Sequence, residues 1–595
     1  MRSKTFCCNK TVLKKDITRY LPLWMGYTAL LMIGLFGTVQ SPAVMARDLL
    51  YSLYSMAVVN LIYAGLCAAF LFMDLYNGRL CNAIHAFPIR RETWLSTHVL
   101  SGFLFNLVPN LLASVLAALL LWDYAYFALI WLTICTLQFL FFYGTAVLCA
   151  VCAGNLIGMG TLYGIFHFIT VLVAFAIEVL YLPLLHGIKL NEKFFYKFFP
   201  INQIANFDYV DYSVDYSVEH LQNREPIGKF EGFYSQQWLY TGLCTVVGIL
   251  CLLLAVQVYR KRNLENAGEL LSVKKLSPIY LVICTLGAGV FMYLLTEAFS
   301  TGSYIFMFAG IGLGYFAARM LLNRTVKVFT KKVFAGLGVF ILVLGASFLL
   351  TWLDPIGITR YVPEADKIEY AAVVGADKNS YYMVSESYLG VKEEPVGFKI
   401  TDPNEIADVQ DFHRELIEYR VEGNERVLCS VRVIYQLRSG RTVQRYYQVA
   451  QNSSLAKRAN VYASDIRYIF EVNDPQVLYT AFESVSISGG KDQYHNIKLT
   501  DTADIQGLIA AIEKDCAAGT MAQNWAYHEK NDDRYYLDIS VDEEIQKQLG
   551  WSYYRTDLQV WSDGVHTTEY IRQMIDKYPE AEETEDYKYY PVPEG

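Results

Sequence analysis

Two ionisable residues interrupt an apolar run, His167 and Glu178 of "GIFHFITVLVAFAIEVL". In a helix they fall within about 20° of one another, about three turns apart. An ionisable side chain inside a bilayer is costly and faces protein or water. One reading makes the pair a polar strip along a translocation path. Another makes His167 a hydrogen-bonded packing residue and places Glu178 at the outer interface. A third makes them the working groups of a membrane enzyme. Cys149 and Cys152 form C-x-x-C, with no histidine or second pair nearby to complete a metal set. His413, His495, His528 and His566 fall in no H-E-x-x-H spacing, and no G-x-S-x-G elbow occurs. No catalytic residue and no metal ligand is expected, so the chain does not read as an enzyme. The phosphate-cradling G-x-x-x-x-G-K-[ST] is also missing, and the glycine-rich "GNLIGMGTLYG" lacks the lysine. This chain therefore binds no ATP through such a loop, and no cofactor is expected on it.

A second group of residues stands out for recognition. "CNAIHAFPIRRETWLSTHVLSG", Cys81 to Gly102, places a proline and paired arginines between two apolar blocks. Pro88 disfavours helix at Phe87 and suits the first turn of a helix beginning near Ile89. Leu80, Ile84, Phe87 and Ile89 are expected to form an apolar face beside His85, Arg90, Arg91 and Glu92. Such a face suits a groove in another protein or a membrane surface.

The elements that hold these residues follow from the distribution of apolar groups. Of 595 residues, 54% are hydrophobic and 18% charged, more apolar than a soluble chain of this size needs. The excess lies between about 20 and 352, and the rest reads as a water-facing domain. Nine candidate spans are found, at about 21–39, 49–73, 99–121, 125–150, 156–180, 237–258, 278–296, 303–322 and 333–352. Basic residues crowd the N-terminus, the turn holding Arg79, Arg90 and Arg91, the stretch Arg260 to Lys275, and the turn from Arg324 to Lys332. The alternate short connections are poor in them. The expected topology is an N-terminus inside, nine crossings, and the C-terminal domain outside the cell membrane.

"AIHAFPIRRETWLSTHVLSG" resembles the corresponding turn of ABC-2 type transporter permeases of Gram-positive bacteria, with Phe87, Pro88, Arg91, Ser101 and Gly102 fitting and His98 standing where a lysine is frequent. "FFPINQIANF" is similar to a Pro-Ile stretch of their outer loop. The resemblance covers roughly residues 10–260. It implies a six-span permease domain at 1–260, to which the apolar runs add three helices at 261–353 and the composition an outer domain at 354–595. It also implies a separate ABC ATP-binding subunit carrying ATP and magnesium, coupled through the turn. A homodimer or a heterodimer with a second permease would form the pore, with the lipid bilayer around it and no nucleic-acid partner. Export of a small peptide, antibiotic or lipid-linked compound is the expected activity. The alternative is a membrane-anchored sensor or scaffold with an outer binding domain and no transport.

The outer domain carries an internal repeat. "KITDPNEI" at 399–406 aligns with "KLTDTADI" at 498–505. Asp402 and Asp501 read as helix caps, with Glu405 and Asp504 reaching back. Ile406, Val409, Phe412 and Leu416 make one apolar stripe, and Ile505, Leu508, Ile509 and Ile512 the other. A strand precedes each helix and a hairpin is expected after each, turning at Ser439-Gly440 and Asp563-Gly564. The expected fold class is thus a polytopic helical membrane protein plus an α+β domain of two strand–helix–hairpin units. Cys429 and Cys516 read as buried thiols or a pair, and the acidic tail as disordered.

Overall fold

The computed structural model describes residues 8–37, 42–122, 125–189, 199–205, 210–214, 228–233, 235–297, 304–375, 399–420, 428–450, 453–463, 466–469, 475–490, 494–521, 534–541, 557–562 and 564–578. The acidic tail lies outside them. Contacts divide the chain into two units, Met1–Pro183 with Leu190–Leu349, and Leu184–Lys189 with Leu350–Gly595.

The first unit is helical. Its elements are α1 (Lys10–Arg19), α2 (Leu21–Gly37), α3 (Pro42–Leu71), α4 (Gly78–His85), α5 (Arg91–Leu121), α6 (Ala125–Cys152), α7 (Leu156–Leu180), α8 (Pro200–Ala205), α9 (Ser235–Lys261), α10 (Ser277–Glu297), α11 (Tyr304–Asn323) and α12 (Lys331–Leu353). One antiparallel pair, β1 (Val210–Val214) and β2 (Gly228–Phe233), joins them. Eight helices among the described residues (α3, α5, α6, α7, α9, α10, α11 and α12) are long and apolar enough to cross a bilayer, as in a membrane protein. The expected first span, α2, is shorter at 17 residues. The expected third span begins earlier than its apolar run, because α5 is one continuous helix of 31 residues through Pro109.

α6 is the axis of this unit. Of its most apolar window, 78% is buried against the chain itself, compared with 6% for α12. α6 packs on α3, α5 and α9. Gly144 of α6 meets the backbone of Gly248 in α9, and a Cβ there would lie 2.1 Å from the Gly248 carbonyl oxygen. Small residues let membrane helices approach this closely. Polar side chains tie the same bundle. The Tyr27 hydroxyl donates to Asn110 Oδ1 at 3.1 Å and accepts from Asn106 Nδ2 at 3.2 Å. Asn60 Nδ2 donates to Gln138 Oε1 at 3.1 Å, and Gln138 Nε2 donates to the Ile204 carbonyl of α8 at 3.2 Å. Asn60, Asn106, Asn110 and Gln138 are fully buried, so the network satisfies itself without water.

The stretch after α9 is stitched to the α6–α7 turn. The Gly154 amide donates to the Leu270 carbonyl at 3.2 Å, Gly268 to Gly154 at 2.7 Å, and Ser272 to Cys152 at 2.8 Å. α10 then packs on α7 and α11, so the helices after 261 belong to the same compact unit as those before. Cys149 and Cys152 are both buried beside this joint.

The second unit holds two antiparallel sheets. The first is ordered β3 (Ile368–Gly375), β4 (Leu428–Leu437), β5 (Thr442–Ala450), under α13 (Pro403–Glu418) and α14 (Ser454–Ala463). The second is ordered β7 (His495–Leu499), β6 (Phe482–Gly489), β8 (Arg534–Val541), β9 (Asp557–Trp561), with α15 (Thr502–Ala518) and α16 (Val565–Lys577). Both apolar stripes are buried. Asp402 accepts from the Asn404 and Glu405 amides, and Asp501 from the Ala503 amide. The two reach-back contacts do not form. The Glu405 carboxylate lies 3.4 Å from Arg467, and Asp504 accepts from Lys577 at 2.6 Å and from the Tyr578 hydroxyl at 2.6 Å.

The first hairpin, β4–β5, follows α13 as the repeat predicts, with Gly440 at φ 80° in its turn. The second differs. The residues expected as its returning strand form α16 instead, and Gly564 stands at the N-cap. Asp563 lies outside the described residues. Thr567, Thr568, Ile571 and Met574 are buried on one helical face, and Asp515 accepts from the His566 and Thr567 amides at 3.2 and 2.7 Å, completing the helix start. The second hairpin is β8–β9, upstream of the expected site. Cys429 and Cys516 are buried in separate cores.

Candidate functional site

The turn between α3 and α5 is built by α4 and a tight reversal at Pro88. Asn77 caps α4 by accepting from the Arg79 and Leu80 amides at 3.0 and 3.4 Å. After His85 the helix ends. The Ile89 amide donates to the Phe87 carbonyl at 2.7 Å, an i→i+2 bond that centres a γ-turn on Pro88, whose fixed φ suits it. Arg90 is extended at ψ 145°, and α5 starts at Arg91 rather than near Ile89. The single apolar face expected here is therefore split. Ile84 and Ile89 pack into the core, while Leu80 and Phe87 are 44% and 60% exposed. Pro88 and Arg90 are exposed as well.

The turn is clamped from behind. The Arg91 guanidinium donates to the Arg262 carbonyl at 3.2 Å, and Glu92 pairs with Arg260 at 3.0 Å. Arg262 is buried and donates to the Val151 carbonyl at 2.9 Å, to Leu75 at 3.1 Å and to Ala150 at 3.4 Å. Its burial lowers the guanidinium's proton affinity, and its two terminal nitrogens donate to these three carbonyls in place of water. The His85 Nδ1 lies 2.6 Å from the Cys81 carbonyl, so this nitrogen is the N–H donor. Nε2 then accepts from the Tyr259 hydroxyl at 2.8 Å. Burial lowers the His85 pKa, an effect the Cys81 carbonyl opposes and Arg91 and Arg262 reinforce. His85 thus joins the end of α4 to Tyr259 of α9. Trp94 stacks on Tyr259 at 5.7 Å and meets the His98 ring edge at 4.2 Å. His98 in turn pairs with buried Asp16 of α1 at 2.7 Å, and Ser101 donates to the same carboxylate at 2.7 Å.

An open cleft of about 540 Å³ lies in front of this clamp, lined by Arg90, Arg91, Glu92 and Arg260. The ends of α3, α6 and α9 meet the start of α5 here through Arg262 and Arg91. Two of the basic segments marked in the sequence, Arg90–Arg91 and Arg260–Arg262, thus meet here. Asp16, Trp94 and Tyr259 are not marked in the sequence, and Arg262 is marked there only as one of the basic residues of Arg260 to Lys275. Asp16 is a single acid among the basic residues of the first segment, and that isolation was the available signal.

His167 and Glu178 both lie on α7. His167 is buried, with Nε2 2.9 Å from the Thr145 hydroxyl and its ring boxed by Phe141, Phe142, Tyr163 and Phe166. Glu178 lies near the end of the same helix with its side chain exposed. No group of histidine, cysteine or acidic residues suited to hold a metal occurs among the described residues. No protein-family model, curated protein or solved structure matches the chain.

Proposed function

We propose that this chain is the membrane-spanning permease subunit of an ATP-driven ABC-2 type transporter, working as an exporter with a separate ATPase docked on residues 80–92. The observation that carries this reading is the construction of the turn. Phe87 and Leu80 present apolar side chains outward, whereas every group behind them is locked to the ends of α6 and α9. A loop that only connects two spans needs no such backing. A rigid apolar tip beside a basic cleft suits a partner's groove rimmed by acids. A push on Pro88 reaches α5 through Arg91 and reaches α9 through Tyr259 and Arg262, so force applied here moves helices.

In this reading the turn faces the cytoplasm, α2 completes nine crossings, and the second unit is extracellular. Membrane-impermeant maleimide tests this. Cys81 is fully buried and unsuited as a label site, so cysteines are introduced at exposed Asn82 and Lys457. Intact cells should label position 457 and should label position 82 only after permeabilisation. Equal labelling of the two from outside contradicts the topology. Affinity purification in mild detergent should recover an ATPase with the wild-type chain, and vesicles should accumulate substrate only with ATP. An ATPase-free preparation with an intact outer domain favours the sensor or scaffold reading.

A further inference from the structure

The turn between α11 and α12, residues 324–330, holds apolar side chains outward. Val326 is 73% and Phe329 62% exposed, whereas Val328 between them is buried. The backbone here is closely bonded. The Val328 amide donates to the Val326 carbonyl at 3.0 Å and the Thr330 amide to the Val328 carbonyl at 2.8 Å, two successive i→i+2 closures. The Lys327 amide donates to Thr325 Oγ1 at 3.1 Å. With Val328 as the buried anchor, these bonds fix Val326 and Phe329 on the outside. Phe329 also continues a surface that begins on the helices. Its ring lies 5.0 Å from Phe316 of α11 and 6.4 Å from Phe334 of α12, and those two meet edge-on at 5.3 Å. Phe334 is itself exposed, on a helix long and apolar enough to cross a bilayer. Cations flank the same apolar group, and Arg324, Lys327, Lys331 and Lys332 are all exposed. No acidic residue stands between Glu297 and Asp354, so the hairpin's own sequence does not neutralise them.

We propose that this turn is seated in the headgroup layer of the bilayer, with Val326 and Phe329 entering the acyl boundary and Arg324, Lys327, Lys331 and Lys332 binding the phosphates of anionic phospholipids. Apolar groups continuous with the outer surface of a spanning helix meet acyl chains where that helix leaves the hydrocarbon. Long basic side chains beside them keep their stems in the apolar layer and carry their charge out to the phosphates. The proposal needs α11 and α12 to cross a bilayer and does not depend on an ATPase or on transport.

Photo-crosslinking of the full chain in lipid nanodiscs tests it. Benzoylphenylalanine in place of Phe329 keeps an aromatic ring at the turn, and the same amino acid in place of Leu342, an exposed position midway along α12, reports the bulk acyl layer. In nanodiscs mixing phosphatidylcholine with a minority of phosphatidylglycerol, position 342 should capture the two lipids in proportion to their amounts. Position 329 should capture phosphatidylglycerol about twofold or more above its share, an excess that falls to the bulk ratio at about 1 M salt. Combining Arg324→Gln, Lys327→Gln, Lys331→Gln and Lys332→Gln should remove the excess at 329 and leave capture at 342 unchanged. If the replacement at Phe329 fails to fold, Val326 takes its place with the same expectation. Lipid capture at 342 with none at 329 or 326 overturns the seat in the membrane. Capture at 329 in the bulk ratio, or an excess that survives loss of the four cations, overturns their binding of headgroups. Capture at 329 in cells of an acidic polypeptide in place of lipid overturns the proposal in favour of a protein partner.

Discussion

Two polar regions of the membrane unit look alike in sequence and behave oppositely in the structure. In mid-bundle, Tyr27, Asn60, Asn106, Asn110 and Gln138 are sealed from solvent and bond to one another and to backbone carbonyls. At the turn, Arg91, Arg260 and Arg262 are also bonded to the chain, but Leu80, Phe87 and Arg90 in front of them are left facing out. The first arrangement spends every donor on holding helices together. The second uses its polar groups to hold an apolar tip outward. A charged or amide residue in an apolar run is therefore a poor guide to function. What distinguishes the turn is exposed apolar surface backed by a polar clamp.

That contrast can be broken at both ends. The largest stability effect is expected from Arg262→Ala, which strips the Leu75, Ala150 and Val151 carbonyls of their donor. About 3 kcal/mol or more should be lost, read as a fall in thermal midpoint in detergent. Acid should come next, through His413 in the second unit. Burial, reinforced by Arg445 and Arg414, lowers its pKa to about 3, against about 6.5 in the unfolded chain. The folded state thus resists a proton that the unfolded state takes up. Stability contributed by neutral His413 is full above about pH 6.5 and falls by roughly 1.4 kcal/mol per unit as pH drops toward 3. His413→Gln should flatten that slope in chemical-denaturation curves taken at pH 7 and pH 5. Asn106→Leu should cost about 1 kcal/mol, the scale measured for hydrogen bonds between membrane helices. Phe87→Asp should change stability least, within about 0.5 kcal/mol, because the ring is exposed. It should nonetheless lose the co-purifying ATPase. Arg91→Glu should lose it too, but it also disturbs the bond to Arg262 and is the less clean probe.

Much of this architecture was legible residue by residue. Apolar length located the eight long helices because a bilayer leaves the backbone no other partner. Asp402 with Pro403, and Asp501, marked helix starts because a carboxylate before an apolar stripe satisfies orphan amides. Two readings failed where a distant residue decided the local outcome, and a third where a neighbour did. Asp563-Gly564 carries a hairpin signal, yet Asp515, far away in sequence, supplies the acceptors that make residue 565 a helix start. Glu405 and Asp504 could close capping boxes, but Arg467 and Lys577 reach them instead. Pro88 fits a first helical turn as well as a γ-turn, and the Phe87 carbonyl chose the latter. Of the turn's residues the sequence marked Phe87 and the arginines. It did not show that Ile84 and Ile89 face inward, or that Tyr259 and Arg262 stand behind them, because helices far apart in the chain bring those groups together.

The most direct test is a photo-crosslinking amino acid placed at position 87 in living cells, with Val115, an exposed mid-helix residue of α5, as the membrane control. Position 87 should capture a nucleotide-hydrolysing polypeptide and position 115 should not. Capture at 87 of only lipid, or of no polypeptide at all in cells that retain the whole chain, would contradict a docking role for the turn.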